Sequence, residues 1–122
     1  YLCSYQQKVW EMWFKSGEHE QAFAELKARA RVTGGKNFLA ALYVLGATGK
    51  SLNKYVFPGE IHFAELTKDA APWSSQREKA LVKPAATLFN SMAWPVTVED
   101  AFYSLDRDNL QVALEAVRMR YS

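Results

Sequence analysis

Cysteine occurs once in the 122-residue chain, as Cys3, so no disulfide can form within it and the fold has to stand on packing. That usage fits a reducing compartment, and a cytoplasmic location is the expectation. Histidine occurs twice, as His19 and His62, and neither has a second His or Cys at ligand spacing, so no metal site and no cofactor is expected. Long apolar runs are missing too. The longest, Phe38 to Ala47, is about half of the ~20 residues that a spanning helix needs, and no signal-peptide pattern opens the chain, which begins at Tyr1 rather than at an initiator Met. No membrane partner is expected. Six Gly and four Pro are too few and too scattered for a linker, and no repeat is visible, so residues 1–122 read as a single domain. Neither sign of charge dominates. A formal +2 argues by itself for neither nucleic acid nor membrane.

What is present suits a packed helical core. Apolar residues make up 49% and charged residues 23%, far from the composition of a disordered chain, and the 14% aromatic content includes four Trp. The charge is unevenly spread. Residues 1–59 hold eight Lys/Arg against four Asp/Glu, while residues 60–122 hold seven against nine. No acid lies between Glu25 and Glu60, a stretch that carries Lys27, Arg29, Arg31, Lys36, Lys50 and Lys54.

Periodicity and capping residues predict the elements. Ser4 caps a first helix to about Lys15, with Val9, Met12 and Trp13 on one face widened by Trp10 and Phe14. A second helix from Glu18 to Val32 presents Ala22, Phe23, Leu26 and Ala30 and ends at Thr33-Gly34-Gly35. Asn37 to Leu45 is apolar on every side and reads as a central buried helix. Residues 46–73 are irregular: a helical turn after Ser51, a turn at Pro58-Gly59, and a brief strand alternation at Ile61 and Phe63, the whole being a loop, a hairpin or a lid. Ser75 and Glu78 have capping-box spacing for a helix to Met92, kinked between Lys79 and Lys83 by Pro84. Thr97 caps a short helix over 98–104, and Asp106 caps a last one, Arg107 to Tyr121, whose core stripe is Leu110, Leu114, Val117 and Tyr121. The fold class is therefore all-α: a bundle of five or six helices with an irregular middle segment that holds a short strand pair.

Chemistry-bearing motifs are few. Gly46-Ala47-Thr48-Gly49-Lys50-Ser51 imitates the end of a phosphate-binding loop, but two residues separate its glycines where four are needed, so a helix stop is expected. His19, between Glu18 and Glu20, is expected in solvent, and so is His62 between Ile61 and Phe63. Cys3 needs one of these imidazoles nearby to act as a nucleophile. Glu99, Asp100 and Asp106 are explained by helix starts. No catalytic residue is assigned and no enzyme is expected. Trp73 and Trp94, each beside a proline, are placed either at the rim of a groove or in simple packing of helix ends, and as rim residues they are the candidate interaction site. Lys27, Arg29, Arg31, Lys36, Lys50 and Lys54 form either a solvated face or a phosphate-binding surface assisted by Tyr43, Tyr55 and Phe57.

The order Phe38-Leu39-Ala40-Ala41-Leu42-Tyr43-Val44-Leu45, then Ser75 to Asn90, Tyr103-Ser104-Leu105-Asp106 and Ala116 to Tyr121 resembles a group of small helical bacterial proteins of unknown function, often linked with phages and other mobile elements. The resemblance covers about the last two-thirds of the chain, rests on core and capping residues, and implies no site residue. The expected function is an intracellular helical protein-interaction module, an accessory or inhibitory protein of a phage or mobile element. Its alternative is a nucleic-acid-associated regulator using the basic segment. A protein partner is expected, with nucleic acid and self-association left open.

Overall fold

A computed structural model of the chain describes residues 12–31, 35–69, 73 and 79–121. Its elements are α1 (Gly17–Ala30), α2 (Lys36–Gly46), a 3-10 turn (Asn53–Tyr55), β1 (Val56–Phe57), β2 (Glu60–Ile61), α3 (Phe63–Lys68), α4 (Val82–Phe89), α5 (Val98–Phe102) and α6 (Arg107–Tyr121). The fold is mainly α, with one small antiparallel strand pair among the described residues, in which Val56 faces Ile61 and Phe57 faces Glu60.

Helix α2 is the axis of the molecule. Its run Ala40 to Gly46 is buried on every side because α1, α4 and α6 all pack against it. A helix apolar all round needs such an enclosure, and each buried leucine or valine contributes about 1.5–3 kcal/mol by leaving water. Helix α1 lies alongside, offering His19, Phe23, Leu26 and Ala30. The two approach closely at Gly46, where a Cβ would stand 3.1 Å from the Phe23 backbone nitrogen.

The termini explain why the elements stop where they do. Ser16 Oγ accepts from the His19 backbone N–H at 3.0 Å and opens α1. Arg31, not a glycine of the following Thr33-Gly34-Gly35, takes the left-handed position that closes it (φ 54°, ψ 44°), with its N–H on Lys27 O. Thr97 Oγ1 accepts from Asp100 N at 3.0 Å and Asp106 Oδ1 from Asn109 N at 2.8 Å, which starts α5 and α6 as their cap residues predict. The open C-terminal carbonyls of α4 are taken by side chains from other helices: Asn37 Nδ2 donates to Phe89 O (3.0 Å) and Arg120 Nε to Leu88 O (3.2 Å).

Four expectations change. Met12 to Lys15, assigned to the end of a first helix, are not helical; Met12, Trp13 and Phe14 pack on the core as a lead-in to α1, and the remainder of that helix lies outside the described residues. Phe63 does not extend a strand but opens α3, where it and Leu66 are buried. The helix expected to Met92 ends at Phe89, because Asn90 leaves the helical conformation and its Oδ1 accepts from Met92 N and Ala93 N, holding a turn in place of another helical one. The kink expected between Lys79 and Lys83 is a full break: Ala80 and Leu81 form a turn and α4 begins at Val82. Pro84 thus falls in a first turn, where no N–H is required and its ring fits. The Ser75–Glu78 capping box lies outside the described residues.

Candidate interaction surface

The last helix carries two apolar faces. Val112, Ala113 and Ala116 are buried, and the two alanines let α6 approach α2 closely. The stripe expected in the core points outward instead: Leu110 is 38% exposed, Leu114 54% and Tyr121 68%, with only Val117 half-buried. At 3.6 residues per turn the two sets are centred roughly 130° apart, so one element buries its small side chains and shows its large ones.

This outward face continues into a groove. Pro84 and Leu88 of α4, Val98, Ala101 and Phe102 of α5, and Ala113 and Val117 of α6 line a depression of about 130 Å³. Among the described residues no charged side chain lines it. Val98, at its edge, is 76% exposed. Large aliphatic groups left in water beside an uncharged groove form the kind of contiguous apolar patch that marks an association site.

Trp73 and Trp94 do not join this surface. Both are half-buried against the core. Trp94 packs on Phe63 (ring centroids 6.3 Å apart) and, with Ile61, His62 and Phe89, borders a separate shallow hollow of about 310 Å³. Among the described residues the buried Trp73 indole N–H meets no hydrogen-bond acceptor.

Of the six basic residues, Arg29 comes beside Lys54 through its contact with Asn53 O, and Lys36 and Lys50 lie at opposite ends of α2. Arg29 is engaged by the fold: its Nε donates to Val56 O at 2.8 Å and also to Asn53 O, pinning the strand pair to α1. Lys27 lies over the Phe23 ring at 4.5 Å and Lys54 over Tyr55 at 5.1 Å. Arg31 is the exposed helix end, Lys36 opens α2, and Lys50 follows its other end, so the last two are separated by the helix length of about 16 Å.

His19 is the largest departure from the sequence reading, which places it in solvent. It is 1% exposed, enclosed by Phe14 (5.1 Å) and Tyr43 (4.6 Å). Its Nδ1 accepts from Lys15 N at 3.1 Å, so the proton sits on Nε2, which donates to Tyr43 O at 2.7 Å. That carbonyl is open because Ala47 N turns to Val44 O, so His19 caps the end of α2 from the first turn of α1. Burial drives its pKa below the usual 6.5 despite the Tyr43 bond, and the Lys15 ammonium lowers it further. Both nitrogens are occupied by backbone groups, so this imidazole is a neutral latch. A signal for it is legible in the sequence: His19 precedes Phe23, Leu26 and Ala30 by four, seven and eleven residues, on the same helical face.

His62 is half-exposed on the Phe57 ring, with Glu60 Oε2 3.3 Å from Nε2 and Glu65 Oε2 4.0 Å from Nδ1. The carboxylates lie on opposite nitrogens, and among the described residues no three potential ligands gather for a metal. Tyr55 donates to Asp69 Oδ2 at 2.7 Å; its burial and this carboxylate push the phenol up to about 12. The Gly46–Ser51 segment is a helix stop: Thr48 Oγ1 donates to Leu45 O at 2.8 Å and accepts from Lys50 N, while Lys15 Nζ donates to Ala47 O. Cys3 lies outside the described residues.

No protein-family model matches the chain, and neither the curated proteins nor the solved structures contain a match. Among the described residues no helix is long and apolar enough to cross a membrane.

Proposed function

We propose that the chain is a helical protein-association module that works through the outward face of α6, with Leu110, Leu114, Tyr121 and the neighbouring Val98. The observation that carries this reading is the placement of large aliphatic and aromatic groups in water beside an uncharged groove, while small residues of the same helix take the core. Dispersed single hydrophobics need no explanation, but a stripe along one helix does. This reading sets the interaction site on the last helix rather than at Trp73 and Trp94, both half-buried, of which Trp94 borders the hollow beside Phe63.

The test compares wild type with Leu114→Asp and Trp94→Ala in a native lysate treated with nuclease. Retention of a defined protein that survives nuclease and Trp94→Ala but is lost in Leu114→Asp supports the reading. Retention unaffected by Leu114→Asp overturns it. Retention that disappears with nuclease, and that weakens steeply with salt, transfers the function to the basic segment, with Lys27, Arg31 and Lys54 as the residues to reverse.

A further inference from the structure

We infer that residues 12–16 form an acid-released strap: a second proton on His19 breaks the strap side of its latch and leaves the α2 side in place. The strap lies across three helices. Lys15 N donates to His19 Nδ1 at 3.1 Å, and Lys15 Nζ donates to Ala47 O at 2.9 Å and to Asn109 Oδ1 at 2.8 Å. Tyr43 Oη donates to Trp13 O. Beneath these bonds Phe14 fills an aromatic pocket, its ring 5.1 Å from His19, 5.9 Å from Phe23 and 5.7 Å from Tyr43. Residues 12–15 belong to no helix or strand, so among the described residues it is such side-chain contacts that hold them down.

The two ring nitrogens respond oppositely to acid. Nε2 already carries the proton that goes to Tyr43 O, so a second one must take the Nδ1 lone pair, the acceptor of Lys15 N–H. Two N–H groups then face each other and that bond is lost. The Nε2–H bond to Tyr43 O becomes charge-assisted and gains strength. The strap therefore gives way before the contact between α1 and α2 does.

Surrounding charges do not oppose this. The Lys15 ammonium acts on the ring from the strap and repels an imidazolium. From α2 comes Tyr43, whose burial holds its phenol protonated. Helix α6 brings the neutral Asn109, and its Glu115 is paired with Arg118 at 2.8 Å. On α1 itself, Glu18 and Glu20 are exposed. Among the described residues no carboxylate bonds either ring nitrogen. With the strap lifted, His19 titrates near its ordinary 6.5; with it docked, burial holds the pKa lower. Opening is therefore unaided above about pH 6.5 and is favoured by up to about tenfold per pH unit below it, until the docked pKa is reached. It uncovers Phe23 and Tyr43, an aromatic surface that the neutral form keeps closed.

Hydrogen exchange of the full chain, read by NMR from about pH 7.5 to 5 and normalised to unstructured-chain rates, tests the strap. The Lys15 amide should lose protection by up to about tenfold per pH unit below about pH 6.5, while the Phe23 and Tyr43 amides keep theirs. His19→Gln sets an amide donor near the Nε2 position and no acceptor at Nδ1, so its Lys15 amide should be poorly protected at every pH while Tyr43 O stays satisfied. If that variant does not fold, as far-UV circular dichroism will show, the wild-type comparison decides alone. Protection lost at Phe23 and Tyr43 in step with Lys15 overturns a local strap. A Lys15 amide equally protected at both ends of the range overturns the proton trigger, as does a folded His19→Gln chain in which Lys15 protection falls with pH as steeply as in wild type.

Discussion

Replacing His19 with Ala should cost this protein about 3–5 kcal/mol and abolish a specific pH dependence of its stability. The substitution strips the donor from Tyr43 O and the acceptor from Lys15 N, and a buried polar group left unsatisfied costs about 1–3 kcal/mol. It also leaves a hole between Phe14, Phe23 and Tyr43, with which the imidazole or its neighbours stack, and large-to-small changes of this kind add a cavity penalty. The pH dependence has a definite sign. The folded pKa of His19 is below 6.5, so below pH 6.5 the unfolded chain binds a proton that the folded chain resists. Stability is therefore full above about pH 6.5 and falls as the pH drops toward the folded pKa, with a limiting slope of about 1.4 kcal/mol per pH unit from this group. Urea unfolding followed by Trp fluorescence from about pH 8 to 5 checks both parts. A variant that unfolds within about 1 kcal/mol of wild type at neutral pH refutes the latch, because the unsatisfied groups alone should exceed that. A variant whose stability declines below about pH 6.5 as steeply as that of wild type refutes the assignment of the pH dependence to His19.

Two further substitutions probe the helix ends. Thr97→Ala removes the oxygen that accepts from Asp100 N and should lower stability by about 1 kcal/mol in urea unfolding, while Thr97→Ser should restore it. Arg31→Gly should act in the opposite direction, raising the thermal midpoint through a gain of about 1 kcal/mol, because φ 54° is strained for any residue with a Cβ and Arg31 makes no ion pair among the described residues.

Local rules read from the sequence hold at the two predicted helix caps that lie among the described residues. Thr97 and Asp106 cap the helices that follow them, an outcome that needs no distant partner, and the wholly apolar Phe38–Leu45 run leaves α2 no solvent face to present, so it is enclosed by three other helices. Where the outcome depends on which face a third element covers, local pattern is silent. His19, Phe23, Leu26 and Ala30 share the spacing of Leu110, Leu114, Val117 and Tyr121, yet the first set is buried and the second is largely in water. Glu18 and Glu20 make His19 look solvated in the sequence, although adjacent residues on a helix diverge by about 100° and say little about one another's surroundings.

The physical difference between the two stripes lies in what α2 can accept. On α1, a polar ring is wanted at one end, because the α2 terminus leaves Tyr43 O open and only a donor from outside that helix can satisfy it. On α6, close approach is wanted, because α2 is itself lined with Ala40 and Ala41, and Ala113 and Ala116 permit an approach that Leu110 and Leu114 would hold apart. Choosing the small face for the interior leaves the large one outside, and no other described element covers it. A helix that keeps Leu114 and Tyr121 more than half exposed, and Leu110 38% exposed, forgoes part of the roughly 1.5–3 kcal/mol that full burial of each large apolar side chain returns. The feature that defeats a core assignment from sequence is thus the same one that marks the surface proposed to meet another protein.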